Sequence, residues 1–550
     1  MSKYYIFFIF LLTLLIPNII LSITEPLSII GAATNIILPA GFIYCLISLS
    51  PKLGRTIWLM FPLIFLAAFQ IVLLSLYGRS IIAVDMFLNL VTTNTAEVAE
   101  LLGNMFPTIA IVVVLYVPIL VLGVIYIRRK IRLSQHFLST NRRIAYLIIS
   151  IGIVTLGISY ASSPTYSVKR DLYPVNVFYN IYLAFDRTAK TTNYAESSAE
   201  FKYNATTTHT DGQREIYLLI IGETARAANW QILGYGRPTN PRLSLRDDIY
   251  AGAQSFSESN TTHKSVPMLL SPVNAINFNS DIYKVKSLVT AFKEAGFKTA
   301  FFSNQRYNRS FIDFFAEESD TTVFIKEQSG LKLSLDINGK SDTELLPYLD
   351  MILQKEADKQ LIVLHTYGSH FNYNDRYESE DAKFTPYDYD KATKSMRDKL
   401  INAYDNTIVA TDRLIADCIE RLDSIEGVSA GILYTSDHGE DIFDNNTGRF
   451  LHASPRPTRY QVHVPFIVWL SESYTAHYPE KAQAIRKNII ELISTSRTFC
   501  PTALDMAGIK VSGNAKVDTA ASLLSPAYKP REPLYLSDHN EAVLLKDIIL

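Results

Sequence analysis

Cysteine is nearly missing: Cys45, Cys418 and Cys500 are the whole complement of 550 residues. That is too few for a disulfide framework. Cys45 lies in an apolar run, and Cys418 and Cys500 sit in helix-like stretches. Two core thiols are expected there, with a pairing left open if the compartment is oxidising. An excess of basic charge is also missing. The formal net charge is -1, so the electropositive footprint of nucleic-acid binding is absent and no nucleic-acid partner is expected. Internal repeats are not found. Charge is scarce overall, 19% of residues against 48% hydrophobic. Such a chain is too apolar for an ordinary soluble enzyme and too polar for a pure membrane bundle, so its apolar residues must be concentrated in one part.

That part is the beginning. Five stretches before residue 165 are long enough, or nearly so, to cross a bilayer: Tyr4 to Ile23, Leu27 to Leu49, Ile57 to Tyr77, Ile109 to Ile127 and Ile144 to Tyr160. The first has an apolar run too long for a signal-peptide core and no small-residue cleavage site, so a retained helix is expected. Lys3, then Lys52 and Arg55, then Arg128, Arg129, Lys130, Arg132, Arg142 and Arg143 occupy alternate loops, which therefore face the cytoplasm. Five crossings from a cytoplasmic N-terminus put everything after Tyr160 outside.

The domain layout expected is a five-helix transmembrane domain over 1–165, an interfacial helix and linker over 166–213, and an extracytoplasmic domain over 214–550. Within the first, Asp85 to Leu102 reads as an amphipathic helix on which Asn89, Thr93 and Glu97 share a face at spacing four. Spacing alone makes that a solvated polar face. In the second, Leu172 to Phe185 is aromatic-rich and suits a bilayer interface. The polar tract Thr188 to Gln213 reads as a flexible connector.

From Glu215 onward short β-rich runs alternate with helical patterns, as at Ile216 to Ile221, Thr299 to Phe302, Leu361 to Leu364, Gly431 to Tyr434 and Val464 to Leu470. The intervening Lys284 to Gly296 has helix periodicity and a glycine stop. Such alternation predicts an α/β domain with a largely parallel sheet, whose ligands gather at the carboxyl ends of strands. Three strands run into candidate metal ligands: Glu223; His365 and His370; and Asp437, His438 and Glu440. Taken singly, Glu223 reads equally well as a helix cap or ion-pair residue, and a lone histidine as a hydrogen-bonding core residue. The Asp437-His438-Gly439-Glu440 cluster is harder to explain without a cation, because buried charges need partners. Oxygen and nitrogen donors of this kind suit zinc or manganese.

At these residues the chain resembles the bacterial phosphoethanolamine transferases, which include lipid A modifying enzymes and those of mobile colistin resistance. The resemblance is carried by Ile221 to Leu243 (IGETARAANWQILGYGRPTNPRL), Ser436 to Glu440 (SDHGE), Gly368 to His370 (GSH), and Leu451 with His452 ahead of Val464 and Pro465. It implies five membrane helices followed by an α/β alkaline-phosphatase-like (sulfatase) domain in the periplasm, anchored in the bacterial inner membrane. It implies transfer of phosphoethanolamine from phosphatidylethanolamine to lipid A, the lipopolysaccharide core or another envelope glycan. A phosphothreonine forms on the way and diacylglycerol is released.

By position, Glu223, Thr262, Asp437 and His438 match the zinc-binding residues, and Thr262 matches the nucleophile. His370 and His452 match histidines near the transferred group. Asn89, Thr93 and Glu97 match residues facing the donor headgroup, which reverses the plain reading of that helix face. Asn304 and Glu440 are carried over as substrate-binding. One catalytic zinc is implied, a second ion being left open, with zinc preferred to manganese.

The chemistry agrees, since a bound cation and a helix N-terminus both favour ionisation of a threonine hydroxyl. Thr261 is the rival nucleophile. The pattern departs from the lipid A enzymes where their cysteines would stand, at Glu258 and Met268, and again over Ser303 to Asp320, which leaves Gln305 and Arg306 unassigned. A sulfatase needs cysteine or serine in a C/S-x-P-x-R motif, which Thr262 and its neighbours do not supply. Lipoteichoic acid synthases, which transfer glycerol phosphate, remain the alternative.

Overall fold

The computed structural model describes residues 3–25, 27–77, 82–84, 87, 95–163, 166–209, 212–328, 341–355, 357–446, 448–454 and 456–549. The chain forms two compact units, Met1–Asp186 with Asn445–Phe450, and Arg187–Asp444 with Leu451–Leu550.

The first unit is helical: α1 (Lys3–Thr24), α2 (Ile29–Ile47), α3 (Leu53–Leu59), α4 (Phe61–Tyr77), α5 (Thr95–Arg128) and α6 (Gln135–Ser162). Among the described residues four helices are long and apolar enough to cross a membrane: α1, α2, the Thr108–Arg128 part of α5, and α6. A fifth crossing is counted if α3 and Phe61–Leu74 of α4, bent by 57°, form one broken span. The expected straight run from Ile57 to Tyr77 is thus interrupted. Pro62 stands at the second position of α4, where its missing N–H and fixed φ suit a helix start and not a helix interior. Conversely α6 is longer than the apolar count suggested, extending back through Arg142 and Arg143 to Gln135.

Glycines let these helices approach closely. A Cβ on Gly41 of α2 would lie 2.8 Å from the backbone nitrogen of Ile149, and one on Gly152 of α6 would lie 2.7 Å from Cα of Leu38. Buried polar groups pair across helices, Thr34 with Ser159 at 2.9 Å and Tyr44 with Asn141 at 2.5 Å.

The second unit is built on a seven-stranded sheet: β1 (Glu215–Gly222), β2 (Ile249–Gly252), β3 (Lys298–Ser303), β4 (Thr321–Phe324), β5 (Lys359–His365), β6 (Ser429–Ser436) and β7 (Phe466–Leu470), in the order β2-β7-β6-β1-β5-β3-β4. Only β7 runs against its neighbours. β1 and β6 are buried along their whole length, the continuous apolar pattern of strands covered on both faces. The five strand runs read from sequence are found within a few residues, and the predicted helix is Leu288–Glu294 with Gly296 just beyond at φ 90°.

The tract after Thr188 is not a free connector. Tyr194, Phe201 and Tyr203 belong to the core of this unit, and Tyr203 and Ala205 donate their backbone N–H groups to the Glu294 carboxylate. Thr206–Thr207 pairs with Ile509–Lys510. A few aromatics were enough to bury a segment whose average composition is polar. Cys418 and Cys500 are buried and unpaired.

Candidate active site

The parallel register brings the ends of β1 and β6 side by side, Gly222 opposite Ser436. Glu223 and Asp437 therefore leave the sheet as neighbours. The Asp437 N–H donates to the Gly222 carbonyl at 3.0 Å, which locks the two exits together. Thr224 follows in the left-handed region at φ 60°, uncommon for a β-branched residue, and its N–H donates to Asp437 Oδ1 at 3.0 Å. The loop after β5 crosses beneath. Gly368 has φ 48°, and a Cβ there would sit 2.4 Å from the Glu223 carbonyl oxygen, so only glycine lets Ser369 N–H reach that oxygen at 2.9 Å. Gly439 is similarly confined, with the Tyr460 carbonyl 2.3 Å from where a Cβ would be.

Glu223, Asp437 and His438 form the one group of three buried side chains able to hold a metal ion found among the described residues, with their donor atoms within 4.8 Å of one another. His438 Nε2 lies 3.2 Å from Asp437 Oδ2 and 3.5 Å from Glu223 Oε1. Its Nδ1 faces the Gly439 carbonyl at 3.0 Å; donation there leaves the Nε2 lone pair turned to the carboxylates. Burial and the nearby Asp437 push the Glu223 carboxyl up to about 7, and burial does the same for Asp437. Burial holds the His438 imidazole below its usual range. Asp437 Oδ2 accepts no hydrogen bond from the described residues. Two crowded carboxylates with an aimed imidazole fit a divalent cation of the zinc type.

Thr262 opens the helix Thr262–Leu269 and is half-buried. Its hydroxyl lies 3.2 and 3.1 Å from the two Glu223 oxygens and 3.1 Å from His438 Nε2. Thr261 is turned elsewhere, its Oγ1 3.1 Å from Ser259 Oγ. On the other side of His438 the His452 ring lies at 4.2 Å between centroids, and His370 lies 6.0 Å beyond His452. Glu440, fully buried, accepts from the Tyr373 hydroxyl and faces His452 Nδ1 at 3.5 Å. Burial holds His452 down to about 4 and His370 well below its usual range, so both are neutral imidazoles near pH 7.

Glu223, Thr262, Asp437, His438, Glu440, His452 and His370 are thus brought together. Asn304 is not among them: its fully buried side chain donates to Asp342 Oδ1 at 2.8 Å. Asn89 and Thr93 lie outside the described residues, as does the side chain of Glu97.

Three contributors went unread in the sequence. Gln305 Nε2 donates to Glu223 Oε2 at 3.0 Å and to the Thr366 carbonyl at 2.9 Å. Asp342 takes the Tyr367 and Gly368 N–H groups, both at 2.8 Å, and so holds the turn before His370. Arg226 pairs with Asp444 at 2.6 Å and donates to the Glu440 carbonyl at 3.2 Å. Gln305 gave a signal by its position just past a strand end and Arg226 by lying in the Ile221 to Leu243 stretch, while nothing pointed to Asp342.

A largely parallel sheet with residues able to hold a metal ion at the carboxyl ends of its central strands defines an α/β domain suited to metal-assisted chemistry. The chain belongs to the sulfatase family, whose profile matches residues 215–509. It is 28% identical over 307 residues to phosphoethanolamine transferase EptA of Salmonella typhimurium, covering 54% of each chain, and spans about half the length of the curated relatives it matches. Among solved structures it resembles the integral membrane protein lipooligosaccharide phosphoethanolamine transferase A of Neisseria meningitidis. There the TM-score is 0.72 at 22% identity, over 96% of this chain and 97% of that one. The periplasmic domain of EptC from Escherichia coli, solved with Zn, aligns with TM-score 0.55 at 22% identity, over 63% of this chain and 96% of that one. At those identities the likeness is one of fold.

Proposed function

We propose that the chain transfers phosphoethanolamine from phosphatidylethanolamine to an envelope glycolipid, a lipid A or core lipopolysaccharide. Thr262 is the nucleophile. Its sharing of Glu223 and His438 Nε2, with hydroxyl distances of 3.1 to 3.2 Å, is the observation that carries the proposal. The named relatives support the choice of phosphoethanolamine, and the zinc-containing relative supports the metal.

Glu223, Asp437, His438 and Thr262 would hold the zinc ion. A cation bound there supplies charge that offsets the transferring phosphoryl oxygens and favours loss of the threonine proton. The rest is done by side chains. Thr262 Oγ attacks the donor phosphorus, the bond from phosphorus to the diacylglycerol oxygen breaks, and that oxygen takes up a proton as diacylglycerol leaves. An acceptor oxygen then attacks the phosphothreonine and frees Thr262. Neutral His452 and His370, with Nδ1 turned to Glu440 and to the Phe371 carbonyl, each present an Nε2 lone pair that suits taking a proton from the entering group and returning it to the leaving group. Glu440 facing His452 Nδ1 favours a proton there and leaves Nε2 to accept one.

In this reading five crossings place the second unit in the periplasm of an inner-membrane protein, and Asn89, Thr93 and Glu97 face the donor headgroup. The test is intact mass after incubation with phosphatidylethanolamine and zinc, then with a panel of acceptor glycolipids. Wild type gains one phosphoethanolamine, Thr262→Ala gains none, and one acceptor discharges the adduct. A glycerol phosphate gained from phosphatidylglycerol instead would replace this reading with that of a lipoteichoic-acid-type synthase.

A further inference from the structure

Two buried amides join the turn before Thr262 to the loop that carries His452. Asn260 stands two positions before the nucleophile, and Gln461 lies in the short helix Arg459–Val462. Asn260 Nδ2 donates to Gln461 Oε1 at 2.8 Å and to the Ser454 carbonyl at 2.9 Å, and its Oδ1 accepts from the Tyr535 hydroxyl at 2.7 Å. Gln461 Nε2 donates to Asp441 Oδ2 at 2.9 Å and to the Leu451 carbonyl at 3.1 Å. Gln461 Oε1 also has the Ser454 hydroxyl at 2.9 Å, and the Gln461 backbone carbonyl accepts from Gly439 N–H at 2.9 Å. One residue thus touches the nucleophile turn, both flanks of His452 and the loop holding Asp437, His438 and Glu440.

Those flanks need holding. Leu451 and Ala453, on either side of His452, have φ of 66° and 64°, the left-handed region that side-chain-bearing residues rarely adopt. The Leu451 carbonyl is fixed by Gln461, and the Ala453 N–H by the Asn260 carbonyl at 3.2 Å. Gln461 uses both amide protons and its carbonyl oxygen, so no other side chain reproduces the set. Glutamate would offer no donor and would set a second carboxylate against Asp441. Methionine would offer neither donor nor acceptor of comparable strength.

We propose that Gln461 is a positioning residue, which through Asn260 and Leu451 sets His452 in register with Thr262. It rests on the phosphoryl-transfer reading for what that register serves. The hydrogen bonds of the Gln461 side chain go to Asn260, Ser454, Asp441 and Leu451 and not to Glu223, Thr262, Asp437 or His438, so its loss leaves the metal in place and misaligns the reacting groups. Misplacement by about 1 Å costs about 100-fold in rate.

The experiment uses the full chain in detergent as wild type, Gln461→Glu, Gln461→Met and the double variant Gln461→Glu with Asp441→Asn. Diacylglycerol release from phosphatidylethanolamine, zinc content and melting temperature are measured. Both single variants are expected to lose about 100-fold in kcat, with KM and zinc content unchanged. In the double variant the amide introduced at 441 donates to the carboxylate introduced at 461, and about 10-fold returns, the Leu451 contact staying unmade. Unchanged kcat in both single variants, a loss that tracks zinc content or melting temperature, or a double variant no better than Gln461→Glu overturns the proposal.

A second readout does not depend on the donor. Hydrogen exchange of the peptide covering 451–454 is expected to speed up in both single variants and to slow again in the double one. Unaltered exchange there also overturns it. Wild type that releases no diacylglycerol sinks the transferase reading, while the exchange still decides whether the clamp exists.

Discussion

Buried polar groups differ in kind between the two units: apart from Asp171 and Arg449 those described in the helical unit are amides and hydroxyls, while the sheet unit also buries carboxylates and imidazoles. In the helical unit several pair off, Thr34 with Ser159, Tyr44 with Asn141, and Asn18 Nδ2 with the Asn35 carbonyl at 2.7 Å and the Tyr173 carbonyl at 2.8 Å, while Asn18 Oδ1 and the Tyr166 and Tyr173 hydroxyls have no hydrogen bond among the described residues. Much of the sheet unit does the same. Asp405 takes Asn229, Tyr235 and Arg237, and Glu258 takes Ser494, Arg497 and the Ala275 N–H. At the ends of β1 and β6 the pairing stops short, leaving Asp437 Oδ2 and Glu440 Oε2 buried without a hydrogen bond among the described residues. Single unfilled atoms also occur elsewhere, at Trp230 Nε1 and the Tyr434 hydroxyl; what marks the site is that two buried carboxylates and an imidazole bring their donor atoms within 4.8 Å of one another.

The contrast separates residues with one signature. Arg226, Asn229, Tyr235, Arg237 and Arg242 all lie in the stretch that resembles the transferases, yet Arg226 pairs with Asp444 and the others bind Asp405, Asp417 and Glu420, holding the loop against the helix Arg397–Asp423. Glu223 alone in that stretch enters the metal-ligating group.

The sharpest break of the contrast is Thr262→Ala, which should abolish the phosphoethanolamine adduct while the melting temperature stays within a few degrees; persistence of the adduct would move the nucleophile elsewhere. Next is Gln305→Ala. Removing an outer partner of a metal ligand is expected to weaken zinc binding about 10- to 100-fold, read by competition with a chelator. Equal affinity would show that Glu223 is oriented without it.

The third is pH. Glu223 and Asp437, held up to about 7 without metal, keep protons that the unfolded chain gives up at lower pH. The metal-free protein therefore loses stability as pH rises from about 4 to 7 and levels off above. Zinc affinity climbs over the same interval, because those protons must leave before the ion binds. Melting curves from pH 5 to 8 with and without chelator would show opposite slopes, and parallel slopes would contradict the crowded-carboxylate account. The smallest effect belongs to the helical unit. Thr34→Val removes a satisfied pair with Ser159 and should cost only about 0.6 kcal/mol in detergent unfolding. A loss several times larger would mean that this pair does more than pack.

Much of this was legible in the chain. Apolar runs ending in Glu223 and in Asp437-His438 announced both the sheet and its ligands, because a strand that is buried throughout has no reason to end in charge unless something meets it. The direction of the Asn304 side chain was not legible, since the side on which a polar residue emerges past a strand end depends on the turn that follows, here toward Asp342. The break between α3 and α4 escaped because hydropathy sums over composition and does not register a change of direction at Pro62.

Sequence by itself determined the division into an apolar helical part and an α/β part, the strand runs, and a set of candidate metal ligands from which Glu223, Asp437 and His438 come together. Periodicity and local chemistry fix these within a few residues of chain. Only the tertiary structure decided that Thr262 and not Thr261 meets Glu223, that Gln305 and Gln461 reach across to groups far away in sequence, and that the tract after Thr188 is packed. Such facts depend on which segments are brought within hydrogen-bonding distance, and spacing along the chain does not contain that.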